Sequence, residues 1–267
     1  MTIWELFKLD GKVAVVTGGA RNLGYDMALA LAEAGADVAI TSRTLADAKK
    51  AAEAIRAATS RRVFPLACDV RNEKQVVRMV DRVLAEFGKI DILVNNAGNV
   101  LSTPDEACLE KRPLKLWQHT LDVNLTGVFL CSRHVVAKAM KPAGRGVIIH
   151  IGSTAGIVGK DRRVYQGTKL GGVTLDYEAA KAGVINMTRD MAAYLAPDGI
   201  RVNCISPAGF ERNQDPKFIK AYSATIPMGR MGQDGKEMKG AVVFLASEAS
   251  SYVTGHNLVV DGGLTCW

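Results

Sequence analysis

Lys12-Val-Ala-Val-Val-Thr17, then Gly18-Gly-Ala-Arg-Asn-Leu-Gly24, then the helical stretch 25–34 read in succession as a buried strand, a glycine-rich turn and a helix. A short apolar run bounded by turn residues suits a strand covered on both faces. A glycine turn entering a helix presents backbone N–H groups and the positive helix end to an anion, with no side chain in the way. Glycines alone say little, but between a strand and a helix at the start of an α/β pattern they predict a phosphate site.

Working outward, apolar runs recur at 38–40, 63–67, 90–94, 146–151, 201–205 and 257–260, with helical segments between them. That alternation predicts an α/β fold of the Rossmann type, a doubly wound parallel sheet with helices on both faces. The 267 residues show no linker, repeat or low-complexity tract, so 1–267 is read as a single domain. No apolar stretch reaches the ~20 residues that span a bilayer, and the first residues lack a signal-peptide layout. The five cysteines (68, 108, 131, 204 and 266) have no metal or redox spacing and fit a reduced, cytoplasmic setting. Histidines 119, 134, 150 and 256 lack paired spacing, so no metal is expected and each reads as structural or superficial. A net charge of +7 is spread along the chain, which argues against nucleic acid and weakly favours anionic ligands.

Tyr-x-x-x-Lys occurs twice, at Tyr165–Lys169 and Tyr177–Lys181. On a helix, residues four apart share a face, so a lysine can approach the phenol, lower its pKa from about 10 and fit it for proton exchange. Gly167, Gly171 and Gly172 make the first copy a loop. The second opens a run with apolar residues at helical spacing, Ala180, Val184, Met187, Met191 and Leu195, and Asp176 is its N-cap candidate. Tyr177 and Lys181 are the expected pair.

Further motifs lie in order along the chain: Asp69-Val70, Asn95-Asn-Ala-Gly98, Asn124, Ser153, Arg201-Val-Asn-Cys-Ile-Ser-Pro207 and the closing Tyr252 to Gly263. With these the chain resembles a single-domain short-chain dehydrogenase/reductase over essentially its whole length. The thirty residues from Tyr177 to Pro207 match the family's spacing, whereas Tyr165 would be misplaced. The resemblance implies a catalytic set of Asn124, Ser153, Tyr177 and Lys181. In it Tyr177 moves the proton, Ser153 bonds the same substrate oxygen, Lys181 holds the cofactor ribose, and Asn124 anchors a proton-relay water. It also implies that Gly18, Arg21, Asn22, Leu23, Gly24, Ser42, Arg43, Asp69, Val70, Asn96, Ala97, Gly98, Pro207 and Gly209 surround a nicotinamide dinucleotide, together with Tyr177 and Lys181.

Charge points to the cofactor. NAD sites usually place a carboxylate after the second strand; here Ser42 stands there, Arg43 follows, and Arg21 sits in the glycine turn. Two guanidinium groups suit a ribose 2′-phosphate, so NADP(H) is preferred over NAD(H). Asn22 replaces the family's middle glycine, a substitution that a left-handed backbone tolerates.

Two departures are individual to this chain. Ala208 separates Pro207 from Gly209, and the threonine that usually follows is absent, so the hold on the nicotinamide is altered. The gap from Ser153 to Tyr177 is longer than the family's, an insertion at about 156–175 that carries Lys160, Arg162 and Arg163. A basic loop there is expected to wall the substrate pocket and select an anion; a solvated or subunit-contact loop is the alternative. Residues 209–235 are expected to form a lid, with Phe218, Tyr222, Ile226 and Met228 facing substrate. The leading functional expectation is interconversion of a secondary alcohol and a ketone on a polyol, sugar or sugar acid, similar to the gluconate 5-dehydrogenase-like branch. A 3-oxoacyl-carrier-protein reductase and a non-catalytic nucleotide-binding sensor are the alternatives, and family resemblance implies a homotetramer.

Overall fold

The computed structural model describes residues 1–100, 102–103 and 105–267. After a one-turn helix α1 (Ile3–Leu6), β1 (Val13–Val16) enters the interior with all four residues buried. Alternation along a strand sends Ala14 and Val16 to one face of the sheet and Val13 and Val15 to the other. The chain then forms α2 (Asn22–Glu33), β2 (Asp37–Ser42), α3 (Leu45–Thr59), β3 (Val63–Ala67), α4 (Glu73–Phe87) and β4 (Ile92–Asn95). A long helical stretch follows, α5 (Leu114–Leu121), α6 (Gly127–Val135) and the single turn α7 (Lys141–Ala143), joined by two π turns. Beyond it lie β5 (Gly146–Ile151), α8 (Leu175–Leu195), β6 (Ile200–Pro207), β7 (Phe210–Glu211) and α9 (Pro216–Ser223). The last elements are β8 (Gly232–Gln233), α10 (Glu237–Ala246) and β9 (Asn257–Val260).

Seven parallel strands are ordered β3-β2-β1-β4-β5-β6-β9, and β7 pairs with β8 apart from them. On one face, Met27 and Leu31 of α2, Ile55 of α3 and Val242 and Leu245 of α10 pack on Ala14, Val16 and Ile40. On the other, Val76 and Val80 of α4, Cys131 of α6 and Leu195 of α8 pack on Val13, Val15 and Leu93. The strand order reverses beside β1, whose neighbours are β2 and β4. A crevice therefore opens beyond the carboxyl ends of β1 and β4, where ligands of such sheets are held.

The expected strands are present with small shifts. β4 starts at Ile92 rather than at 90, because the Asp91 carboxylate accepts the Val13 N–H (2.9 Å) and Ile90 is buried before the strand begins. Helix α2 starts at Asn22, within the glycine turn, and Asn22 takes the left-handed backbone expected of it (φ 52°). Asp176 is not the N-cap of α8. Thr174 holds that position, and Asp176 sits in the first turn, fully buried against Arg112.

His150 on β5 is buried, with Nδ1 3.0 Å from the Thr188 hydroxyl. That hydroxyl donates to the Val184 carbonyl, so the imidazole Nδ1 carries the hydrogen between them. Burial, and secondarily the Lys181 charge, lowers the His150 pKa to about 3. An unfolded histidine binds a proton near 6.5 while the folded one does not, so stability rises with pH between about 3 and 6.5 and this part is complete above 6.5. Acidification through that window should cost about 1.4 kcal/mol per pH unit. Urea unfolding from pH 7 to 5 should show a slope about one proton shallower in His150→Gln. Equal slopes would remove the assignment.

Candidate active site

At the crevice lies a cleft of about 770 Å³, and every residue expected from the sequence to bind cofactor or catalyse lines it. At one end the glycine turn is held by Thr17, the last residue before it. The Thr17 hydroxyl accepts the N–H groups of Asn96 (3.0 Å) and Ala97 (3.1 Å), and the Asn96 amide donates back to the carbonyls of Thr17 (2.9 Å) and Gly18 (3.1 Å). Asn96 therefore ties β4 to the turn, and its amide is used in shaping the site. Thr17 was not singled out from the sequence; a polar residue ending a buried strand was its only signal.

Arg21 and Arg43 are exposed at this end, and neither is ion-paired among the described residues. The Asp69 carboxylate is held by Arg71 through Nε and Nη2, which lowers its pKa despite partial burial. Arg71 Nη1 also lies 2.9 Å from His119 Nδ1, whose Nε2 is 3.3 Å from the Asn99 amide. His119 thus faces the cleft instead of being merely structural or superficial. Guanidinium only donates, so Nδ1 is the acceptor and the neutral ring's hydrogen is on Nε2. The Asn99 oxygen is then the group that turns toward it.

The other end gathers the four residues of the expected catalytic set. A π turn over Asp122–Thr126 interrupts the helix between α5 and α6 and contains the fully buried Asn124. Such turns redirect a side chain out of helical register. The Asn124 amide donates to the carbonyls of Asn99 (2.9 Å) and Thr120 (3.0 Å) and accepts the Asn99 N–H (3.3 Å). Ser153 follows β5; its hydroxyl caps Ala155 N–H (3.1 Å) and faces the Tyr177 phenol. Lys181, one turn after Tyr177 on α8, is buried, lies 5.5 Å from the centre of the phenol ring and donates to the Ile151 carbonyl (2.7 Å). A methyl group at Gly98 would fall 2.7 Å from Asn124 Oδ1 and 3.7 Å from Lys181 Nζ, so the missing side chain leaves a cradle between them.

Electrostatics correct one expectation. The phenol is not acidified by its lysine: burial raises the Tyr177 pKa, the Ser153 bond opposes this, and neighbouring Tyr222 adds to it. The lysine itself shifts, since burial lowers it to about 8. At neutral pH the site holds a protonated phenol beside an ammonium that gives up its proton readily.

The insertion also differs from expectation. Lys160, Arg162 and Arg163 do not line the cleft. Lys160 turns inward onto the Thr154 hydroxyl (2.7 Å), Arg162 donates to the Ala107 carbonyl (3.0 Å), and Arg163 pairs with Asp161 in solvent. The apolar residues of the insertion are the ones used: Val164 and Tyr165 pack with Phe218, Tyr222, Ile226 and Met231. Tyr165 stacks on Phe218 with ring centres 5.2 Å apart, and burial raises its pKa to about 12. Of the expected lid contacts, Phe218 lines the cleft, Tyr222 and Ile226 are buried behind it, and Met228 is exposed.

The family model described as enoyl-(acyl carrier protein) reductase matches residues 18–265. A cis-4-hydroxycyclohexanecarboxylate dehydrogenase of Sinomonas cyclohexanicum is 38% identical over 263 residues, 95% of this chain and 96% of its own. A 3-oxoacyl-[acyl-carrier-protein] reductase of Synechocystis is 36% identical over 259 residues, 96% of this chain and 98% of its own. Among solved structures, a gluconate 5-dehydrogenase from Burkholderia cenocepacia, in complex with NADP and tartrate, superposes with a TM-score of 0.89. It is 34% identical, and the match covers 100% of both chains.

Proposed function

The chain belongs to the short-chain dehydrogenase/reductase family, and from that premise we propose that it interconverts a secondary alcohol and a ketone with NADP(H), acting on a polyol, sugar or sugar acid. The observation that carries this reading is the meeting of Asn124, Ser153, Tyr177 and Lys181 at one end of a cleft whose other end is the glycine turn with Arg21 and Arg43.

The residues suit the cofactor. The glycine turn and the start of α2 offer backbone N–H groups to a pyrophosphate, the guanidinium groups of Arg21 and Arg43 offer bidentate donors to a 2′-phosphate, and Gly98 leaves room beside Lys181. When bound, the nicotinamide supplies or accepts the hydride. The chain's own residues manage the proton. In the reductive direction Tyr177 gives its proton to the carbonyl oxygen, which Ser153 also bonds, so charge developing there meets two donors. Lys181, with its pKa near 8, passes a proton toward the phenolate left behind. Asn124, adjacent to Lys181 across Gly98, orders the route by which that proton is replaced.

Hydroxylated acids are turned over by two of the similar proteins, as their names state, which supports a sugar-acid substrate. Lys160, Arg162 and Arg163 of the insertion do not supply the anion recognition, since each is engaged elsewhere. A 3-oxoacyl-carrier-protein reductase is the second reading, favoured by the Synechocystis relative. Following NADPH and NADH oxidation over keto sugars, keto acids and acetoacetyl thioesters separates the two. NADPH binding with no turnover across the panel would leave a nucleotide-binding sensor. By its membership of the family, a homotetramer is the assembly we propose.

Cofactor choice has its own test. Ser42→Asp puts a carboxylate beside Arg43, where it would repel a 2′-phosphate and accept ribose hydroxyls. NADPH affinity is expected to fall about 10–100-fold while NADH affinity rises. An unchanged ratio of the two dissociation constants would remove the NADP(H) preference.

A further inference from the structure

Gly209, where the cleft passes beneath the expected lid, is fixed by a residue on α9. Its N–H donates to the Tyr222 hydroxyl at 2.9 Å. A methyl group at Gly209 would lie 2.8 Å from Tyr222 Cε1 and 2.9 Å from Met231 Cε, so the phenol ring rests directly on the backbone. The preceding residue is held from the other side, with Ala208 N–H donating to the Val260 carbonyl at 3.0 Å. Tyr222 is itself part of a three-ring cluster: its ring is tilted against Phe218 with centres 5.4 Å apart, and Phe218 stacks on Tyr165 of the insertion at 5.2 Å. The insertion reaches the same point by a polar route, through Lys160 Nζ on the Thr154 hydroxyl (2.7 Å), with Thr154 facing the Tyr222 hydroxyl. A third tie links it to the opposite wall, where the Ser102 hydroxyl donates to the Gly172 carbonyl at 3.0 Å.

We propose that the insertion and α9 form a brace that sets the position of the 207–209 turn against the nicotinamide half of the cofactor, with the Tyr222 hydroxyl as the positioning residue. This rests on the cofactor reading given above. The inference accounts for two individual features of the sequence together. The chain lacks the usual threonine after Gly209, and it carries extra residues between Ser153 and Tyr177 whose basic side chains stay out of the cleft. Tyr222 touches no residue at the adenosine end. Its removal should therefore weaken one half of the ligand and leave the other as it was.

The test compares binding of NADPH with binding of 2′,5′-ADP, which carries the adenosine half alone, by calorimetry on the full chain. Tyr222→Phe keeps the ring and removes the hydroxyl. Its NADPH affinity is expected to fall about 5–10-fold, the size of one lost hydrogen bond, with 2′,5′-ADP affinity unchanged. Should wild type bind NADH more tightly, NADH and 5′-AMP replace the pair. Tyr165→Leu, which unpacks the stack from outside the cleft, is expected to shift the same ratio in the same direction. Equal losses for both ligands in Tyr222→Phe, or no loss for either, would overturn the proposal. A loss in Tyr222→Phe with none in Tyr165→Leu would overturn the part assigned to the insertion. Wild type that binds neither ligand would overturn the cofactor reading first, and the brace with it.

Discussion

Tyr177→Phe is expected to lower kcat by about 10²–10⁴-fold, the range spanned by general acid–base catalysis, and to leave NADPH affinity unchanged. The ring is kept, so the packing of α8 survives and only the proton carrier is lost. Tyr165→Phe is the matched control. Its ring stacks on Phe218 and its hydroxyl is no part of the cleft, so turnover should stay at the wild-type level. The pair of variants is decisive because both tyrosines sit four residues before a lysine. Measured with saturating ketone and NADPH, full turnover by the 177 variant would sink the mechanism, and loss in the 165 variant alone would transfer the role to the other copy.

Much of this was legible in the sequence, and the reasons are local. β1, β3, β5 and β9 are short apolar runs between turn residues, and their pairing in one parallel sheet leaves little freedom in where they begin and end. The choice of Tyr177 over Tyr165 followed from glycine content and helical spacing, both properties of a single turn of chain. What could not be read depends on contacts across long separations. Asp176 looks like an N-cap until Arg112, 64 residues away, is found against it. Lys160, Arg162 and Arg163 look like a binding loop until each is seen to have a partner, the Thr154 hydroxyl, the Ala107 carbonyl and the Asp161 carboxylate in turn. The shift of Tyr177 was misjudged for the same reason. Sequence places a cation one helical turn away, but it does not reveal that both groups are buried and that desolvation is the largest contribution for each.

Arg112→Met should cost about 3–5 kcal/mol of stability at pH 7, because it leaves a buried carboxylate without its partner. Arg112 and Asp176 form an ion pair with side chains only 6% and 0% exposed. The arginine leads into α5 and the aspartate lies in the first turn of α8, immediately before Tyr177. Burial raises the Asp176 pKa, the Arg112 bond and the Thr120 and Thr174 hydroxyls lower it, and the net result is below 3.8. A carboxylate whose folded pKa is depressed stabilises the fold above its unfolded value, and that stabilisation is lost as pH falls through the folded one. Without the arginine, burial dominates and the sign reverses. Relative to wild type, the variant should then gain stability as pH falls from about 7 toward 4, because protonation removes an unpaired buried charge. Arg112→Met combined with Asp176→Leu removes both charges and should recover most of the loss, since the penalty arises from the orphaned partner. Urea unfolding of the two single variants and the double variant, at pH 7 and pH 4.5, measures all of these. A single-variant loss below about 1 kcal/mol, the worth of an exposed pair, that does not shrink relative to wild type as pH falls, would mean that Asp176 finds enough support in Thr120 and Thr174 alone. The start of α8, and with it the Tyr177 phenol, would then owe its position to the packing of the helix and not to this charge.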